Sequence, residues 1–159
     1  MDIYSESKRA SIMSKISGKE TKPEVLVRKH LFSKGFRFRK NVANLPGHPD
    51  IVLPKYKAAI FVHGCFWHGH PGCNKSKLPA TRTEFWQKKI GRTIERDKEK
   101  IDELSTLGWR VAVVWECSLK NKSLLETAIK ELEKWIKSNE KMLEIFEGVQ
   151  MGKRGQEQT

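Results

Sequence analysis

The sequence predicts an α/β domain, a mixed β-sheet flanked by helices. Three observations predict it. Two short β runs, 50–53 and 57–64, are joined by a Pro54-Lys55-Tyr56 turn. A long helical stretch separates them from the most strand-like run in the chain, W-R-V-A-V-V-W at 109–115, and an amphipathic helix follows that run. Hairpin-linked strands pair antiparallel and a helix crossover makes a parallel pair, so the sheet is mixed and the helices cover its faces.

The elements follow in order. Residues 1–20 are polar and basic, with Ile12, Met13 and Ile16 as the main apolar points, and read as an arm or a short helix. Thr21-Lys22-Pro23-Glu24 is a helix start, with Thr21 as N-cap, Pro23 in the first turn and Glu24 three residues after the cap. Leu26, Val27, Leu31 and Phe32 give that helix an apolar face, and Gly35 ends it. The run 36–40, F-R-F-R-K, alternates aromatic and basic residues as a half-exposed strand does. A loop over 44–49 delivers Asp50 to the hairpin. Residues 79–83 lead into a long polar helix that ends near Leu107-Gly108, and Glu116-Cys117 follows the 109–115 strand. Over 123–139, Leu125, Ala128, Ile129, Leu132, Trp135 and Ile136 recur at helical spacing. The expected organisation is a basic arm (1–20), one domain (21–147) and a tail of low apolar content without order (148–159).

A chain of 159 residues buries roughly two thirds of its unfolded surface, so its core needs no disulfide staple. Its three cysteines are an odd number, which argues against a disulfide framework and for a reducing, cytoplasmic setting. The longest apolar run, 58–62, is far too short to span a bilayer, and the N-terminus lacks the apolar core of a signal peptide. Thirty-one Lys and Arg against nineteen Asp and Glu leave a net charge of +12. Folding does not require that excess; a polyanionic partner, nucleic acid above all, exploits it through counterion release.

Chemistry concentrates between Asp50 and Cys73, which hold three of the five histidines and two of the three cysteines. Cys65, His70 and Cys73 share one loop, and Cys117 lies at a later strand end. Three sulfurs and one imidazole suit a tetrahedral structural Zn²⁺, with His70 favoured by spacing and His68 the second choice. The plainer reading is three thiols packed as small apolar groups. Asp50 after Pro49, opening a strand, matches the carboxylate of Mg²⁺-dependent nucleases, although the neighbouring strand reads Phe61-Val62-His63 without the usual Glu and Lys. Taken alone, Asp50 is an ordinary turn residue. His63 and His68, close to Asp50, could supply a general base and a phosphate contact, or simply structural hydrogen bonds. Glu24 is accounted for by the capping box. Phe66 and Trp67, adjacent in a loop, suit either a wedge between stacked bases or a lid over the zinc, and Met13 on the arm is a weaker candidate wedge.

The runs L-P-G-H-P-D, F-V-H-G-C-F-W-H-G-H-P-G-C, P-A-T-R-T-E-F-W and G-W-R-V-A-V-V-W-E-C, in that order, resemble the very-short-patch-repair (Vsr) mismatch endonucleases of bacteria over about residues 13–117. The resemblance implies a restriction-endonuclease-like fold with a structural zinc. It implies a monomer that nicks duplex DNA, with Mg²⁺, on the 5′ side of the thymine in a T·G mismatch left by deamination of 5-methylcytosine. By position, Asp50 would bind Mg²⁺ and Val62 would lend its backbone carbonyl. His68 would activate the attacking water, His63 would contact the scissile phosphate and Glu24 would support the water or metal shell. Cys65, His70, Cys73 and Cys117 would hold zinc, and Phe66, Trp67 and Met13 would intercalate. Mismatch-repair proteins are implied as possible partners, and the bacterial cytoplasm and nucleoid as the setting. Two alternatives stand beside this reading: a restriction-like nuclease with another target, and a non-catalytic zinc module that binds DNA.

Overall fold

The computed structural model describes residues 22–40, 42–147 and 149–151. The expected N-terminal arm, with Met13, and the helix cap at Thr21 lie outside the described residues.

The described chain forms helix α1 (Lys22–Ser33), strands β1 (Arg39–Lys40), β2 (Ile51–Leu53) and β3 (Ala58–His63), helix α2 (Thr83–Thr106), strand β4 (Arg110–Trp115), helix α3 (Lys122–Ile136) and strands β5 (Met142–Phe146) and β6 (Val149–Met151). The strands lie side by side in sequence order in one six-stranded sheet. The β1–β2, β2–β3 and β5–β6 pairs are antiparallel, and β3–β4 and β4–β5 are parallel. α2 makes the first parallel crossover and α3 the second, which is the mixed sheet that the hairpin-then-helix order predicts.

Strand alternation decides which helix lies on which face. Ala58, Ile60, Ala112, Val114, Leu143 and Ile145 face Val27 and Leu31 of α1 and the whole apolar stripe of α3. Ala59, Phe61, Val111, Val113 and Trp115 face the other way, onto Leu104 and Ile101 of α2. With both faces covered, β4 is buried almost throughout and reads as a continuous apolar run. Helix ends follow local chemistry. Asn121 caps α3 by accepting from the Leu124 N–H (2.9 Å), and α2 closes where Gly108 takes φ +92° and the Trp109 N–H reaches the Leu104 carbonyl (3.0 Å).

Three expectations need correction. The strand over 36–40 shrinks to Arg39–Lys40, because the ladder that pairs Arg39 with Val52 would next oppose Arg37 to Pro54, which has no N–H to donate. α3 ends at Ile136 rather than at 139. The Arg110 guanidinium donates to the Trp135 and Ile136 carbonyls there, and also to that of Tyr56, while stacking on the Trp135 ring (4.4 Å). Strand β5 falls where no element is expected, and β6 extends pairing into the stretch predicted as a tail. Among the described residues no helix is long and apolar enough to cross a membrane.

Candidate active site and metal cluster

The hairpin brings the start of β2 and the end of β3 to the same edge, and a cleft of about 820 Å³ opens there. Ladder pairing between β2 and β3 stops at Ile51–Ile60. Beyond it the Val62 N–H donates to Asp50 Oδ2 (2.7 Å) instead of to a backbone carbonyl. A strand residue points its N–H and C=O to the same side, so the Val62 carbonyl opens at the point where the Asp50 carboxylate sits. Burial is the main cause that pushes the Asp50 carboxyl up to about 7; the Val62 N–H opposes it and the nearby Glu24 charge adds to it.

Glu24, in the first turn of α1, lines the same cleft. Only 2% of it is exposed, and it accepts from Arg28 Nη1 one helical turn on (2.6 Å). A capping box does not require that burial. A carboxylate beside Asp50 does require a partner, since a buried unpaired charge is costly.

His68 stands across the cleft, and its Nδ1 lies 2.6 Å from Asp97 Oδ2 on α2. With the Nδ1 proton donated to that carboxylate, the lone pair of the neutral ring is on Nε2. The His63 ring stacks on His68 with centroids 3.8 Å apart and planes 2° from parallel, and meets the Trp115 edge at 5.2 Å. Burial, with the His68 charge second, lowers the His63 basicity far below the usual range, so His63 is a neutral imidazole. Its Nδ1 is buried with no hydrogen-bond partner.

Asp97 is the residue that sequence reasoning missed. Its signal was present: Ile90, Ile94, Asp97, Ile101 and Leu104 recur at spacings of four and three, and Asp97 is the polar residue in an otherwise apolar stripe.

The second cluster lies behind His68. Ligand atoms of Cys65, His70, Cys73 and Cys117 all fall within 4.8 Å of one another. His70 Nδ1 is 3.7 Å from Cys117 Sγ, about the edge of a tetrahedron with bonds of about 2.0–2.3 Å. His70 therefore joins the cysteines, whereas His68 groups with His63 and Asp97. Outer contacts hold the loop in shape: Ser76 Oγ donates to the His70 and Cys73 carbonyls (2.6 and 2.8 Å), and the Glu147 N–H points at Cys117 Sγ (3.3 Å). Burial raises the Cys65 and Cys117 thiols, a setting that a dication reverses by stabilising thiolates. Three thiols and an imidazole in a closed shell fit a metal ion with soft preference. Gly69 sits between the two clusters at φ +59°, and a Cβ there would lie 2.6 Å from Ile94 Cδ1, so the loop packs directly on α2.

Phe66 and Trp67 form an edge-on aromatic group with Trp86 of α2, at 5.4 and 5.8 Å. Trp67 is 54% exposed at the cleft wall. His70 is covered by Trp115, stacked at 4.1 Å, and by the edge of Phe146, so the cluster has its aromatic cover from elsewhere. The structure thus collects Asp50, Val62, His63, His68 and Glu24 at one cleft, and the four cysteine and histidine ligand candidates in a separate cluster.

The family model described as DNA mismatch endonuclease Vsr matches residues 1–75. The type II nicking enzyme V.NmeAIP of Neisseria meningitidis serogroup A is 53% identical over 136 residues, covering 86% of this chain and 96% of that protein. The DNA mismatch endonuclease Vsr of Escherichia coli (strain K12) is 44% identical over 137 residues, covering 85% and 87%. The type II nicking enzyme V.XorIIP of Xanthomonas oryzae pv. oryzae is 44% identical over 131 residues, covering 82% and 96%.

Proposed function

The chain belongs to the Vsr family of DNA mismatch endonucleases and is a nuclease; on that premise we propose that it nicks one strand of duplex DNA, with Mg²⁺, on the 5′ side of the thymine in a T·G mismatch. The observation that carries this reading is the cleft itself. It places a carboxylate and a strand-edge carbonyl opposite an imidazole held by a second carboxylate, under a net charge of +12.

Asp50 and the Val62 carbonyl offer the hard oxygen ligands that Mg²⁺ takes, the remaining positions being left to water and phosphate oxygens. Bound there, Mg²⁺ supplies the positive charge that stabilises the phosphate as the scissile bond breaks. Asp50 is raised by burial in a way that a cation offsets, so the donor set fits the ion. His68, with Nδ1 tied to Asp97, uses Nε2 to take the proton of the attacking water; Asp97 holds the ring in that tautomer and orientation. His63, neutral and stacked on His68, acts on the phosphate as a hydrogen-bonding group rather than as a cation. Glu24, kept in place by Arg28, orders the water shell. Cys65, His70, Cys73 and Cys117 would hold a structural Zn²⁺, which would tie the 65–73 loop, and with it His68, to the turn that follows β4. Phe66 and Trp67, braced by Trp86, enter the base stack beside the mismatch, with Met13 as a further wedge outside the described residues. The mixed sheet between α1 and α3 on one face and α2 on the other is in keeping with a restriction-endonuclease-like fold.

The test is a nicking assay on one end-labelled duplex carrying a single T·G pair, beside its T·A control, each with and without Mg²⁺. One nick, on the T·G duplex and with Mg²⁺ only, is expected. Equal cutting of both duplexes would replace the mismatch reading with that of a nuclease for paired DNA.

A further inference from the structure

A motif singled out in the sequence, F-R-F-R-K at 36–40, has no part in the cleft. In the structure it faces α1 across a groove of about 490 Å³. Exposed Lys29 and buried Arg28 line the groove from α1, and Arg37 and Lys40 line it from the chain leading into and along β1. Its floor is aromatic. Phe32, 56% exposed, meets Phe38 edge-on at 6.5 Å and carries the Arg37 guanidinium over its ring at 4.3 Å. Among the described residues no carboxylate lines the groove.

We propose that this groove is a second DNA contact, which grips the sugar-phosphate backbone a few nucleotides from the cleft. Charge complementarity and position both favour that occupant. Three exposed cations, Lys29, Arg37 and Lys40, around an apolar floor match a chain of phosphates with apolar sugar faces between them, while the charge of buried Arg28 is already met by Glu24. The Arg37 guanidinium already sits over the Phe32 ring, so engaging a phosphate costs less side-chain entropy than it would for a free arginine. The groove also shares a wall with the cleft: Glu24 lines one, Arg28 lines the other, and the two are ion-paired at 2.6 Å. Phe32 is eight residues along α1 from Glu24, a rise of about 12 Å. That spans about three or four nucleotides at 3.4 Å per strand phosphate. A backbone seated in the groove therefore belongs to the same duplex as the one being cut, and the Arg28–Glu24 pair links its seating to the floor of the cleft.

The proposal rests on duplex DNA being the substrate, and its test separates the two. Lys29 and Arg37 are exposed and lie outside the cleft, so Lys29→Gln with Arg37→Gln changes charge without touching the groups assigned to catalysis. Binding to an uncleaved T·G duplex, with Mg²⁺ omitted, is measured across a salt series for parent and variant. Removing two phosphate contacts lowers the slope of log K against log[salt] by about 1.8. The single-turnover nicking rate at saturating duplex and the T·G over T·A preference stay as in the parent. A second measurement shortens the duplex stepwise on each side of the mismatch: on one side the parent falls to the variant's affinity, and the variant is insensitive to that shortening. If the parent itself shows no salt-dependent binding, the substrate reading fails. If the parent binds and a variant of unchanged melting temperature has the same slope, the groove is not a DNA contact and is left to an acidic protein segment.

Discussion

Replacing Asp50 by Asn separates function from stability, and the structure sets the size of the effect. Asn keeps the acceptor that the Val62 N–H bonds and removes only the charge. The Asp50 carboxyl is raised from 3.8 to about 7, chiefly by burial. A carboxyl raised in the folded state binds more protons there than in the unfolded chain between those two values. Stability therefore falls as pH rises through that window and stays lower above it. About three units at 1.36 kcal/mol each set a ceiling of about 4 kcal/mol. Asp50 is half-buried and water reaches the cleft, so about 2 kcal/mol is the working figure. For a chain of this length that raises Tm by about 4–8 °C. The assay is calorimetry of parent and Asp50→Asn at pH 4 and pH 8, in zinc-replete buffer without Mg²⁺. The variant should melt higher at pH 8 and level with the parent at pH 4, while losing nicking altogether. Adding Mg²⁺ should raise the parent's Tm and leave the variant's unchanged. Equal melting at pH 8, or a variant that still nicks, would refute the reasoning.

Other consequences are separable from this one. Asp97→Asn should leave DNA affinity and metal content intact and lower the single-turnover rate by about 10²–10⁴-fold, as loss of a group that orients a general base does; a rate within threefold of the parent would remove the His68–Asp97 pair from the chemistry. Cys117→Ser should empty the four-ligand cluster and lower Tm, read by elemental analysis of purified protein, and a full equivalent of zinc in the variant would exclude Cys117 as a ligand. Gly69→Ala should displace the loop between His68 and His70 and cost both activity and metal, because its Cβ would meet Ile94 at 2.6 Å. Ile90 Cγ2 would lie 2.7 Å from the same Cβ, so Ile90→Ala and Ile94→Ala together should restore part of both, and failure of that double rescue would point to backbone strain at φ +59° instead.

The local parts of this molecule were legible before folding was considered. Gly35 and Gly108 mark helix ends, Pro54 marks the hairpin turn, and the 3.6-residue stripe of α3 names its buried face, since each depends on residues within a turn of one another. Asp50 and His63 share a hairpin, so their meeting at one edge also follows from short-range geometry. The ligand candidates Cys65, His70 and Cys73 could be picked out because they share a loop.

What the tertiary structure decided lies across sequence distances that no local rule spans. Asp97 reaches His68 only because α2 packs on the face of the sheet to which His63 and Trp115 point, 29 residues from its partner. Strand β5 is five residues long and exists because β4 leaves an edge to be paired; its alternating Leu143 and Ile145 are too short a run to announce a strand by themselves. The ladder of β1 is cut short by the proline that follows the strand it pairs with, not by anything in its own residues. By itself the sequence determined which groups were available and how each element begins and ends, because those are matters of backbone geometry and side-chain chemistry over a few residues. Only the tertiary structure decided which carboxylate meets which imidazole, because packing two faces of one sheet sets those distances and burial sets the charges that result.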